Sequence, residues 1–247
     1  MKRLSAVAVV LLLAASSSFA AWDYFPVIEQ GSAEAKVTSG FEFKIRYGVA
    51  ENLEVFSTNS VGNLGDLGYG IGGRYQVIPE MLSVSLDLGI CTWNRDKFWS
   101  DEGSFGLVPG VQFSKSFNDM ISFGAGAALG LEVDAANGKE KDNGELERGL
   151  IMNLSLGAEI DFSLNENVLL WVGVDYSMDR LNYENRDKKD NKYYSETKND
   201  LGPAFGAVFS QGNISVGTYM GLRLDATNMD GKEATGLKGG VDLAIKF

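Results

Sequence analysis

Apolar and polar residues alternate with a period of two along most of this chain. In MISFGAGAALGLEV, Ile121, Phe123, Ala125, Ala127, Leu129, Leu131 and Val133 are apolar. Between them Ser122, Gly124, Gly126, Ala128, Gly130 and Glu132 are small or polar. GLIMNLSLGAEIDF sets Leu150, Met152, Leu154, Leu156, Ala158, Ile160 and Phe162 against Asn153, Ser155, Gly157, Glu159 and Asp161. LSVSLDLGI, VLLWVGVDYSM and ISVGTYMGLRLD repeat the pattern, with Asp87, Asp175, Arg223 and Asp225 on the polar side. Successive strand side chains point to opposite faces, so this alternation predicts β-strands. The runs are much longer than the about 5–6 residues usual in soluble sheets. They reach the about 9–11 residues that a tilted strand needs to cross a bilayer.

The connections alternate in length. Short turns are expected at Gly48–Asn52, Ile78–Met81, Asn118–Asp119, Asn165–Asn167 and Gln211–Asn213. Longer polar stretches fall at Asn59–Asp66, Asn94–Ser104, Asp134–Glu147, Asp179–Lys198 and Thr227–Ala234. Short turns on one side and long loops on the other is the asymmetry of an outer-membrane barrel. The expected fold is therefore all-β: a closed antiparallel transmembrane β-barrel with periplasmic turns and extracellular loops. Lipid leaves no partner for an open sheet edge, so the barrel must close on an even number of antiparallel strands.

Twelve strands satisfy this, with ten as the fallback. The clear strands number eleven, and the twelfth is expected from Trp22–Ser32, where Pro26 interrupts a weak pattern. The alternative is a turn at Thr38–Gly40 that splits AEAKVTSGFEFKIRY in two. Pro109 and Pro203 would each remove a ladder bond from a paired strand, so a bulge is expected at both.

Composition narrows the class. MKRLSAVAVVLLLAASSSFA has basic Lys2 and Arg3, an apolar run and small residues at Ser18 and Ala20, the pattern of a cleaved signal peptide. Residues 21–247 then form a single barrel domain. No other run is long and apolar enough for a membrane helix. Removing Lys2 and Arg3 from the chain's 22 Lys+Arg leaves 20 against 33 Asp+Glu, so nucleic acid is excluded as a partner. There is no histidine, which removes Ser–His–Asp triads and His-based zinc sites and with them the usual outer-membrane hydrolases. Cys91 is the single cysteine, so no internal disulfide forms. The reading includes no enzyme activity, cofactor or metal.

The last residues, GGVDLAIKF, complete the picture. A signal peptide, alternating strands and a terminal strand ending in Phe247 resemble the outer-membrane β-barrel proteins of Gram-negative bacteria. In that class the barrel assembly machinery reads a terminal aromatic preceded by alternating apolar residues. The resemblance assigns that signal to Val241, Leu243, Ile245 and Phe247, with Gly239 in place of a usual larger residue. RYGVAENLEV (Arg46–Val55) is similar to a hairpin of transporters associated with the meta-pathway of phenol degradation. It implies a small-solute transporter of the outer membrane, surrounded by lipid and lipopolysaccharide.

Projecting the polar faces inward nominates Lys44, Arg46, Glu54, Arg74, Asp87, Glu132, Glu159, Asp175, Arg223 and Asp242 as lumen residues. They either tune a pore or form an ion-paired filling, because an unpaired charge is costly inside a small barrel. Inward glycines, among them Gly70, Gly72, Gly110, Gly124, Gly130 and Gly221, are expected to leave room for a passage. Tyr183, Tyr193 and Tyr194 lie in the longest loop and are candidates for a constriction. Two functions follow: a passive channel or transporter for small solutes, or a non-conducting structural or adhesive barrel.

Overall fold

The computed structural model describes residues 24, 27–39, 42–61, 67–92, 103–134, 145–187, 190–227 and 233–247. The signal-peptide stretch, residues 1–20, lies outside them. The first six strands are β1 (Ala33–Thr38), β2 (Glu42–Ala50), β3 (Leu53–Val61), β4 (Leu67–Ile78), β5 (Leu82–Thr92) and β6 (Gly103–Ser116). The second six are β7 (Ile121–Asp134), β8 (Glu145–Asn165), β9 (Val168–Asp187), β10 (Asp190–Gln211), β11 (Ile214–Thr227) and β12 (Glu233–Lys246). Each strand pairs with its sequence neighbours, and β12 pairs antiparallel with β1, so the sheet is a closed barrel. The seam finishes at the last residue, where Phe247 N–H donates to Ala33 O and Ala33 N–H to Phe247 O.

All five short turns stand where the sequence places them. At Ile78–Met81 the Met81 N–H donates to Ile78 O, with Pro79 and Glu80 between them and Glu80 at φ 59°. This is the type II arrangement, with proline fixing the first central residue. At Asn118 the side-chain oxygen accepts from the N–H of both Met120 and Ile121, which closes that turn.

Three expectations change. The twelfth strand comes from the split of AEAKVTSGFEFKIRY into β1 and β2, not from Trp22–Ser32. Within Trp22–Ser32 the described residues form no strand, only a parallel bridge between Gln30 and Gly48. The prolines produce no bulge. Opposite β7, pairing passes from Leu107↔Leu131 to Gly110↔Ala128 in unchanged register, and β10 does the same from Leu201↔Leu224 to Ala204↔Gly221. Each proline forfeits its own ladder bond, and the pairs on either side hold the register.

The third change concerns the loop end. β8, β9 and β10 are 21, 20 and 22 residues long, about twice the crossing length. Most of Asp179–Lys198 is therefore paired backbone, with Tyr194 opposite Tyr183 and Tyr193 opposite Glu184. The side chains of these tyrosines are outside the described residues.

The exterior is apolar and the interior polar. Along β2, Phe43, Ile45 and Tyr47 are exposed, whereas Arg46 between them is buried. Ile71, Leu86, Val111, Val172, Phe205 and Met220 continue the outer belt around the ring. Tyr47, Tyr75, Phe162, Phe209 and Phe247 are exposed on its rim at the turn end. Water does not tolerate so large a continuous apolar surface, whereas hydrocarbon requires it.

Candidate functional site

Period-two alternation delivers every second side chain of twelve strands into one lumen, so register decides which charges meet. At the turn end, Glu34 on β1 stands opposite Arg46 on β2, and Glu54 on β3 stands opposite Arg74 on β4. The charges therefore interleave across four adjacent strands. Arg46 Nη2 donates to Glu54 Oε2 at 2.8 Å, and its Nη1 donates to Glu34 Oε1 at 3.3 Å. Arg74 Nε lies 3.2 Å from Glu54 Oε1, an ion pair without hydrogen-bond alignment. Glu54 is 1% exposed. A carboxylate is tolerated at that burial only because two guanidinium groups and a backbone donor surround it.

That backbone donor comes from outside the sheet. Ile28 N–H donates to Glu54 Oε2 at 3.0 Å. Tyr24, 2% exposed, lies against Gly124 on β7. Val27 is buried as well. Most of the buried polar residues among those described gather at this same end, namely Arg46, Glu54, Arg74, Gln76, Ser83, Gln112, Ser114 and Asp161, whereas Lys238 lies farther toward the loop end.

Farther toward the loop end, Asp200 Oδ2 receives Arg223 Nε at 2.8 Å and lies 3.6 Å from Lys238 Nζ. Lys36 Nζ lies 3.4 Å from Asp242 Oδ2. Lys44 Nζ sits 4.7 Å above the Phe56 ring, a cation–π contact. The wall formed by β8 and β9 differs. It carries Glu159, Asp161 and Asp175, and among the described lumen-facing residues of β7, β8 and β9 no base stands beside them. The positive charges acting on Glu159 and Asp175 are Lys36 and Lys238, from β1 and β12.

Of the lumen residues nominated from sequence, the structure joins Arg46, Glu54 and Arg74 in one network and pairs Arg223 and Asp242 with partners. Lys44, Asp87, Glu159 and Asp175 also face the lumen. Glu132 lies in β7 opposite Gly106, and its side chain is outside the described residues. Sequence reasoning missed Glu34, Asp200 and Tyr24. Glu34 sits near the start of β1, and Tyr24 precedes any periodic pattern. Asp200 lies mid-strand in β10, where the polar run that reads as a loop gives way to apolar residues.

Many of the described lumen glycines are not open space, although a Cβ on Gly236 would meet nothing within 4 Å. A Cβ on Gly72 would lie 2.6 Å from the Phe56 ring, one on Gly206 2.6 Å from Trp171, and one on Gly240 2.8 Å from Tyr219 Cζ. Thr58 covers Gly70, and Ser85 covers Gly110. Aromatic rings from neighbouring strands fill most of these notches, and Trp171 and Tyr219 also meet each other at 6.4 Å between centroids. Gly206→Ala is expected to cost about 1–3 kcal/mol by overpacking against Trp171, measured as a lowered urea midpoint of the refolded barrel. An unchanged midpoint would show that the ring has space to retreat.

No known family profile matches this sequence, and no curated protein matches it. Among solved structures, the COG4313 outer membrane channel from Pseudomonas putida F1 superposes with a TM-score of 0.62 at 10% identity, covering 93% of this chain and 100% of that one. The NanC porin, at TM-score 0.46 and 8% identity, covers 87% of this chain and 98% of its own. LpxR from Salmonella typhimurium, at 0.44 and 8%, covers 88% and 99%. The last two are too loosely superposed to carry an argument. This chain thus shares its fold with outer-membrane β-barrels.

Proposed function

We propose that the protein is an outer-membrane barrel through which small solutes pass passively, in a narrow lumen that favours cations. The observation carrying this reading is the acidic wall of Glu159, Asp161 and Asp175 inside a closed, apolar-coated ring, whose opposing lysines, Lys36 and Lys238, come from other strands. An ion-paired filling alone would need no such wall, whereas a cation moving through the lumen meets a row of carboxyl oxygens there. The likeness of Arg46–Val55 to the phenol meta-pathway transporters agrees with a small-molecule cargo. The outward positions of Leu243 and Phe247 agree with recognition of the last strand by the barrel assembly machinery. Lipid and lipopolysaccharide would then surround the belt.

Planar-bilayer recording of the refolded protein in a salt gradient tests the proposal. Conductance steps with a cation-selective reversal potential are expected. Neutralising the wall with Glu159→Gln, Asp161→Asn and Asp175→Asn should move that potential toward zero. The second reading, a non-conducting structural or adhesive barrel, is favoured by the paired charges and ring-filled notches. Absence of any step, with or without the N-terminal segment, would establish it instead.

A further inference from the structure

The segment that enters the lumen is held by features that the barrel's own closure does not require. Gly48 on β2 receives its backbone: a Cβ there would lie 2.6 Å from Ile28 O and would also meet Glu29 O. Gly31 N–H donates to Gly48 O at 2.8 Å, and Gly48 N–H donates to Ser32 O at 3.0 Å. Glu54 takes the Ile28 N–H. On the facing wall, a Cβ at Gly124 would lie 2.8 Å from Tyr24 Cγ. β2 and β7 are five strands apart in a ring of twelve, so these two seats lie nearly across the lumen from each other. The other aromatic rings seated on glycines belong to strands and cannot leave. Tyr24 belongs to a segment whose described residues have no strand pairing beyond the Gln30–Gly48 bridge.

We infer that Tyr24 and residues 27–30 form a removable restriction at the turn end of the lumen, clamped by Glu54 and Gly48 on one side and by Gly124 on the other. This rests on the channel reading and adds to it the element that limits flow. The clamp is specific. A lumen-facing glycine accepts an aromatic ring only where its missing Cβ leaves van der Waals space, so one methyl group at Gly124 displaces Tyr24. Release costs few strand hydrogen bonds, because the strand pairing of the segment's described residues is limited to one bridge.

The test compares single-channel conductance of the refolded wild type, a form lacking residues 21–30, Gly124→Ala and Gly217→Ala. The control Gly217→Ala adds a methyl group inside the same lumen, where Asp242 at 3.5 Å leaves ordinary contact distance. Neither alanine is large enough to block the passage itself. Larger unit conductance in the truncated form and in Gly124→Ala, with Gly217→Ala unchanged, is expected. Equal conductance in all four overturns the restriction and leaves the channel standing. Silence in all four overturns both. Should the truncated form fail to refold, Gly124→Ala decides alone, with a second readout. Protease cleavage at Tyr24 of the folded barrel, followed by mass, should accelerate in Gly124→Ala and not in Gly217→Ala. Equal cleavage rates in those two variants overturn the clamp.

Discussion

Glu54→Ala should cost the barrel about 3–5 kcal/mol, the usual penalty for removing one partner from a buried ion pair. The carboxylate stands between Arg46 and Arg74 and pairs with both, and it is almost completely shielded from water. Deleting it leaves two guanidinium groups facing each other where the dielectric is low, and also strands the Ile28 N–H. Arg46 keeps Glu34 at 3.3 Å, which holds the loss toward the lower end of the range. Glu54→Gln preserves the shape but not the charge, so it should fall between wild type and alanine. Urea titration of the refolded protein in vesicles, followed by tryptophan fluorescence, measures the effect. The exposed Glu51 serves as control, since its alanine variant should stay within about 0.5 kcal/mol of wild type. If Glu54→Ala were equally mild, the network would be ornamental. A charge-free replacement, Glu54→Leu with Arg46→Met and Arg74→Met, should recover most of the loss, because apolar packing substitutes well for a buried ion cluster.

Leu86→Arg should destabilise the barrel by about 2–4 kcal/mol in a bilayer, the cost of a charge on the lipid face near mid-height. Leu86 is 46% exposed, so in an aqueous protein the same change would be almost free. Its neighbour Ser85 faces the other way and accepts a hydrogen bond from Gln112 Nε2 at 2.8 Å. Ser85→Arg therefore sacrifices about 1 kcal/mol of hydrogen bonding and gains a lumen that already holds Asp87 on the same strand face. The order of the two variants is the measurement. A harmless Leu86→Arg beside a collapsed Ser85→Arg would invert the barrel and refute the assignment of inside and outside.

Much of this architecture was legible because lipid on one side and the lumen on the other impose period two. Ile121–Val133 and Leu150–Phe162 show their two faces without any structure, and the short turns announce themselves through Gly, Asn and Pro. The split between β1 and β2 was one of two readings, since alternation resumes after Thr38–Gly40 and disguises the break. The prolines at 109 and 203 misled, because the loss of one ladder bond need not shift the register around it. The extension of β8, β9 and β10 was hidden by their polar composition. Outside the membrane a strand has no apolar face to display.

The candidate site was legible as a set of residues rather than as an arrangement. Alternation sends Arg46, Glu54 and Arg74 inward, but only the register places Glu54 opposite Arg74 and diagonal to Arg46. The inward glycines were equally plain, yet the meaning of Gly70, Gly72, Gly110 and Gly124 changed once Thr58, Phe56, Ser85 and Tyr24 were seen to occupy the space beside them. What the order of residues determined by itself is which face of each strand meets hydrocarbon, since that depends on neighbours one and two positions away. Tertiary structure alone decided which charges pair and what Tyr24 touches. Those contacts join residues far apart in the chain, and closure of the ring brings them together.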